Sequence, residues 1–198
     1  MDPNFSPNGG SGQVSIRTHI IEFIQTLVVF AAIGTAVYLF IAQPHKVSGS
    51  SMYPNFKNND YIITNKIGYD FEKPQRGQVI VFKNPKDLSQ DFIKRIIGLP
   101  GEKVKIQDGH VFINDQQLPE PYLPDGLQTM AGAFAQEGQE IDIPPDNYFV
   151  LGDNRPASSD SREWGFVTRQ EIIGQAFFRY WPQDEIGIIH PAHYPTNI

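Results

Sequence analysis

The chain of 198 residues contains no cysteine. That absence removes disulfides, thiol nucleophiles and thiolate metal sites together, and it is compatible with an exported domain. The five histidines (His19, His45, His110, His190, His193) fall at no H-E-x-x-H or comparable ligand spacing, so they read as ordinary surface or core imidazoles. Neither a metal nor another cofactor is signalled. Basic residues are in deficit: 16 Lys and Arg stand against 22 Asp and Glu, and the net charge of −6 argues against nucleic acid as the main partner. Internal repeats are absent. So is the G-x-S-x-G elbow of an α/β-hydrolase. Past the N-terminal fifth, no window shows a helical apolar stripe except the short string TRQEIIGQ at residues 168–175.

What is present begins with one long apolar run, residues 20–42, IIEFIQTLVVFAAIGTAVYLFIA. As a helix it would extend roughly 34 Å, enough to cross a bilayer core with some tilt. Its strongly polar members, Glu22 and Gln25, lie near its start, within reach of headgroups. A cleaved signal peptide fits poorly, because its apolar region is shorter and small residues precede its cut; here Phe40 stands at −3 before Ala42. The expected organisation is a disordered tail at 1–18, a membrane helix at 19–42 and a folded domain at 43–198. Orientation stays open from charge alone. Arg17 lies on one side and Lys46 and Lys57 on the other, and long domains cross largely regardless of such counts.

The folded part reads as β throughout. Residues 60–66, 78–83, 91–98, 102–107, 110–114, 147–152 and 175–181 are short β-branched or aromatic runs separated by turn residues. Asp108-Gly109 is a type I′ hairpin signal. An all-β domain of bent antiparallel sheets follows, with a small β insertion at about 103–147.

Three strings carry chemistry. Ser51, in VSGSSMYP (47–54), follows the apolar run by nine residues, a reach of at most about 30 Å; a nucleophile there would work close to lipid. In DFIKRII, strand alternation puts Phe92, Lys94 and Ile96 on one face and Ile93, Arg95 and Ile97 on the other. Packing of the first face would bury Lys94, lower its pKa and make a neutral amine available as general base to Ser51. The competing reading makes Lys94 and Arg95 solvated charges of an edge strand. The third string, LGDNRPASSDSREWG (151–165), is either a solvated loop with Asx-turns or a polar box that orients a lysine and pairs Arg with Asp.

Together, SGSSMYP, FIKRIIGLPGE (92–102) and LGDNRPASSDSREWG, with DYIITNK (60–66) as a weaker fourth, resemble the boxes of the type I signal peptidases, Gram-positive-like branch. The resemblance covers the anchor and essentially everything after it. It implies a Ser/Lys endopeptidase that removes signal peptides from translocated preproteins and uses no cofactor. It implies a single-pass cell-membrane protein with an extracytoplasmic catalytic domain. Its partners would be preprotein signal peptides with small residues at −1 and −3, the lipid bilayer and, functionally, the export translocon. Ser51 then matches the nucleophile, Lys94 the base and Ser158 the hydroxyl that orients it. The Ser51 backbone N–H would serve the oxyanion, and Gly49 stands where many relatives have a second, hydroxyl donor. Met52 matches the residue packing beside the nucleophile near the S1 pocket. Arg95, Asp153, Asp160 and Arg162 match charged residues that brace the site. Asn55 replaces a usual Thr, a change expected to matter little. Two other readings are a self-cleaving repressor-type Ser/Lys protease and a non-catalytic, membrane-tethered β domain that binds an extracytoplasmic partner, with FFRYW (177–181) as its contact surface.

Overall fold

The computed structural model describes residues 16–194 and places them in two units, one running to Leu39 and one from Phe40 onward. Most of the tail expected at 1–18 lies outside the described residues.

Among the described residues the first unit is helix α1 (Ile16–Ala36), which is long and apolar enough to cross a membrane and has no buried residue. A five-residue π-helical turn, Val37–Ile41, follows it. The helix therefore begins four residues before the expected apolar run. Arg17, Thr18 and His19 are polar but tolerate helix, and hydropathy marks only the part that partitions into lipid. At the other end Ala42 is not helical: it opens strand β1 (Ala42–Lys46). Pro44 explains this, since proline lacks an N–H and pushes its predecessor toward extended backbone.

The second unit is built on β2 (Tyr61–Asn65), β3 (Val79–Asn84), β4 (Asp87–Gly98), β5 (Lys103–Gln107), β6 (His110–Ile113), β7 (Gln116–Gln117), β8 (Glu140–Asp142), β9 (Asn147–Leu151), β10 (Val167–Thr168), β11 (Ile172–Trp181) and β12 (Gly187–Ile188). Two four-residue helices, α2 (Gly68–Phe71) and α3 (Ser161–Trp164), interrupt them. The large sheet has the order β1-β2-β11-β3-β4-β9-β10, with β12 against β11. The small one has the order β7-β6-β5-β8. All the strand ladders are antiparallel. Register shifts at Ala176/Phe178, Ile172/Gly174 and Ile96/Gly98 bend the large sheet. The β5–β6 hairpin turns on Asp108 and Gly109 at φ 51° and 79°, the signs a type I′ turn requires.

Residues 168–175 are not helical. Thr168 and Glu171 do form the reciprocal bonds of a helix-initiating box: Glu171 Oε2 accepts from Thr168 N at 2.7 Å, and Thr168 Oγ1 accepts from Glu171 N at 3.3 Å. The box closes a turn, and the chain then enters β11, whose pairing with β2 and β3 outweighs the local preference.

Both faces of the large sheet are covered. Val79, Val81 and Ile93 pack with Val47, Met52, Phe56 and Ile62. Ile80, Phe82 and Ile96 pack with Tyr69, Tyr148 and Val150, and Phe92 and Trp164 join them. A third core joins Ile97, Phe149 and Leu151 to Val104, Ile106, Val111 and Ile113, so the small sheet shares its apolar interior with the ends of β4 and β9. The outcome for β4 is decisive. It is no edge strand at Arg95, which pairs with Val79 of β3 on one side and Leu151 of β9 on the other, and Lys94 and Arg95 are each only 4% exposed.

Candidate active site

β1 delivers the chain into a tight turn around Ser51. Val47 N donates to Asp60 O at 2.8 Å, and Gly49 N donates to Asn58 Oδ1 at 3.0 Å. Gly49 has φ +91°, a conformation that favours glycine. On the other side Met52 and Phe56 sit in the core, joined by a 2.8 Å bond from Phe56 N to Met52 O. Two buried anchors thus hold a half-exposed serine.

Lys94 Nζ lies 2.8 Å from Ser51 Oγ and donates to the Ile93 carbonyl at 2.9 Å. It also stands 5.3 Å from the centroid of the Phe92 ring, its same-face neighbour. Burial lowers the amine to about 8, with Asp160 and Asp153 pulling the other way. A cavity of about 310 Å³ opens on this pair, lined by His45, Val47, Ile62, Val81, Phe92 and Ile93 among others.

The polar box after β9 grips the same turn. Asn154 N donates to Ser51 O and Asn154 Nδ2 to Ser50 O, each at 2.9 Å. Gly152 lets them approach: a Cβ there would lie 2.4 Å from Ser51 O and 2.2 Å from Ser158 Oγ. Arg95 forks onto Asp153, Nε to Oδ1 at 2.9 Å and Nη2 to Oδ2 at 2.7 Å, and its Nη1 donates to Gly77 O at 2.9 Å. Arg162 forks onto Asp160 at 2.8 and 2.9 Å, while Asp160 Oδ2 also accepts Gly152 N at 3.0 Å. Both ion pairs are buried, where forked geometry offsets much of the desolvation.

Residues 20–181 match the model of the family described as signal peptidase, peptidase S26. The chain belongs to the signal peptidase family. It is 40% identical to the signal peptidase I of Leptolyngbya laminosa over 91% of this chain and 89% of the relative. It is 38% identical to a probable signal peptidase I-2 of Synechocystis sp., over 85% of this chain and 77% of the relative. For signal peptidase IB of Staphylococcus aureus the identity is 33% over 86% of this chain and 94% of the relative. A solved signal peptidase I from Enterococcus faecalis is 34% identical, covers 52% of this chain and 97% of its own, and superposes with a TM-score of 0.43. The enzyme is thus a peptidase of the signal peptidase I type, and with its apolar N-terminal helix it is membrane-anchored.

Not every residue singled out from the sequence reaches the Ser51–Lys94 pair. The Ser158 hydroxyl is buried without a hydrogen-bond partner, and its oxygen forms no bond to Lys94. Met52 is fully buried and does not line the cavity. His110, His190 and His193 are exposed and do not line it either. Other residues join the site without having been expected to support it. Asn55 Nδ2 bridges Asp153 Oδ2 and Tyr122 O, both at 2.9 Å, so the replacement of Thr has its own hydrogen bonds. Arg155, 1% exposed, forks onto Glu120 and reaches Thr129. Arg155 and Asn154 were visible inside the polar box. Glu120 and Tyr122, some thirty residues upstream, carried no local signal.

Proposed function

We propose that this peptidase cleaves the signal peptides of translocated preproteins, with Ser51 as nucleophile and Lys94 as general base. The observation that carries the reading is the 2.8 Å approach of a buried lysine amine, lowered to about 8, to a half-exposed serine hydroxyl at the floor of a cavity. The neutral amine takes the Ser51 proton as Oγ attacks the scissile carbonyl, then returns it to the leaving amine. The Ser51 backbone N–H, which donates to no group among the described residues, is the oxyanion donor. Gly49 adds no side-chain donor, and its own N–H is held by Asn58. Arg95–Asp153 and Arg162–Asp160 brace the turn and the polar box; Ser158, packed on Gly152, orients the amine when substrate closes the site.

Substrate enters as an extended strand. Among the described residues β1 pairs only with β2, and residues 91–94 of β4 pair only with β3, so two strand edges with unpaired backbone groups border the cavity. Its walls at Val47, Ile62, Val81 and Ile93 are apolar, which suits small residues at −1 and −3 and rejects large ones sterically. The catalytic domain works on the extracytoplasmic face, where the export translocon releases such segments. The test is incubation of the detergent-solubilised enzyme with a purified preprotein and sequencing of the new N-terminus. A cut after a small residue just past the apolar segment is expected; no cut, or the same cut by Ser51→Ala, would sink the reading.

A further inference from the structure

Residues 189–194 lie beyond the stretch that matches the family model, yet they pack on groups that hold the site. Ala192 N donates to Gly77 O at 3.0 Å, and that same carbonyl accepts Arg95 Nη1 at 2.9 Å. Contact at Gly77 is close: with φ +84°, a Cβ there would meet Ala192 O at 2.4 Å and Tyr194 Cε2 at 2.8 Å. Tyr194 packs against the core that also holds Tyr122, and the Tyr122 ring lies 4.2 Å from the Arg95 guanidinium carbon. Upstream, Ile189 N donates to Phe177 O at 2.9 Å, and its side chain packs on the core that contains Met52. The segment therefore ties two cores together across Gly77. Burial pushes the Tyr194 hydroxyl up to about 12, with Tyr122 beside it pulling the other way. Tyr194 serves here through its ring.

We infer that residues 189–194 are a water-excluding brace of the catalytic apparatus, acting through Gly77 and Tyr122 on the Arg95–Asp153 pair beside Lys94. The inference rests on Lys94 being the base, and it makes Tyr194 a positioning residue. Arg95 and Asp153 are 5% and 1% exposed at the side chain, and such a pair stays tight only while water is kept out. Without the brace, Arg95 loosens and neutralises Asp153 less. Water also reaches the Lys94 surroundings. Both effects favour the charged amine. The groups that act on Lys94 directly are Asp160 and Asp153; each has its arginine, Arg162 and Arg95. Arg155 with Glu120 lies behind Tyr122, and His45 and Asp91 line the same cavity.

The test uses the full chain in detergent, a preprotein-derived peptide, and kcat/KM followed from acid to alkaline pH. Tyr194→Ala should move the acid limb upward by about half a unit to one unit, with turnover recovered at alkaline pH. Each unit costs about tenfold on the acid side. Tyr194→Phe, which keeps the ring, should restore the wild-type limb. A chain ending at Ile189 should shift further than Tyr194→Ala. An unmoved limb in Tyr194→Ala, with either full turnover or a uniform loss at every pH, overturns the inference. Failure of the underlying reading looks different: Lys94→Arg would then remain active in the same assay.

Discussion

In the proposed mechanism the base is Lys94, a residue that ordinarily carries its charge. Burial reverses that, and the reversal has measurable consequences in two directions. Activity should fall below about pH 8, tenfold per unit, as the amine of Lys94 takes up its proton. Lys94→Arg should be as inactive as Lys94→Ala, since guanidinium stays protonated, and single-turnover assays of both check this. Stability follows a related rule. The folded amine titrates near 8 and the unfolded one near 10.5, so between those values the unfolded chain binds the extra proton and stability rises with pH. At neutral pH the buried charge therefore costs the fold on the order of 3 kcal/mol. Lys94→Met should have a higher urea midpoint than wild type at pH 7, and the advantage should vanish above the unfolded value. The nucleophile is tested separately. Ser51→Ala should lose cleavage with its thermal transition unchanged, whereas Ser50→Ala, whose backbone alone engages Asn154, should keep substantial turnover.

At the scale of elements, the end of β9 and the polar box behind it set the position of the nucleophile turn. Gly152 is the tightest point of that contact. Gly152→Ala would force a methyl to within 2.4 Å of the Ser51 carbonyl and 2.2 Å of the Ser158 hydroxyl, so cleavage should drop by at least about a hundredfold. Near-ultraviolet circular dichroism would show whether the sheet survives. Removal of Asp153 should cost more stability than a surface ion pair would, about 3–5 kcal/mol by denaturant unfolding, because Arg95 is left charged and buried. Asp153→Ala should also release Asn55 and through it the Tyr122 loop. These contacts explain why the elements were only partly legible. Strands such as β2, β3, β5 and β6 announced themselves by alternation and turn residues. β1 was hidden because its first residue continues an apolar run, and the start of β11 because a capping box precedes it.

For the whole molecule, the proposed extracytoplasmic placement of the β unit is tested on vesicles. Protease added to right-side-out vesicles should cut residues beyond 43 without lysis; protection until the membrane is dissolved would contradict the extracytoplasmic assignment. The apolar helix provides the anchor.

By itself the sequence determined the anchor, the β class and the three polar strings, because each is a local property: a run of apolar residues, a period of two, a string of adjacent side chains. It also placed Lys94 and Arg95 on opposite faces of one strand. Only the tertiary structure decided that both faces are buried, since that depends on β3, β9 and three separate cores closing around β4. Only the tertiary structure brought Glu120 to Arg155, Asn55 to Asp153 and Tyr194 to Gly77. Those partners lie 35, 98 and 117 positions apart. Contacts at such separations follow from how the sheets bend and pack, which no local pattern encodes.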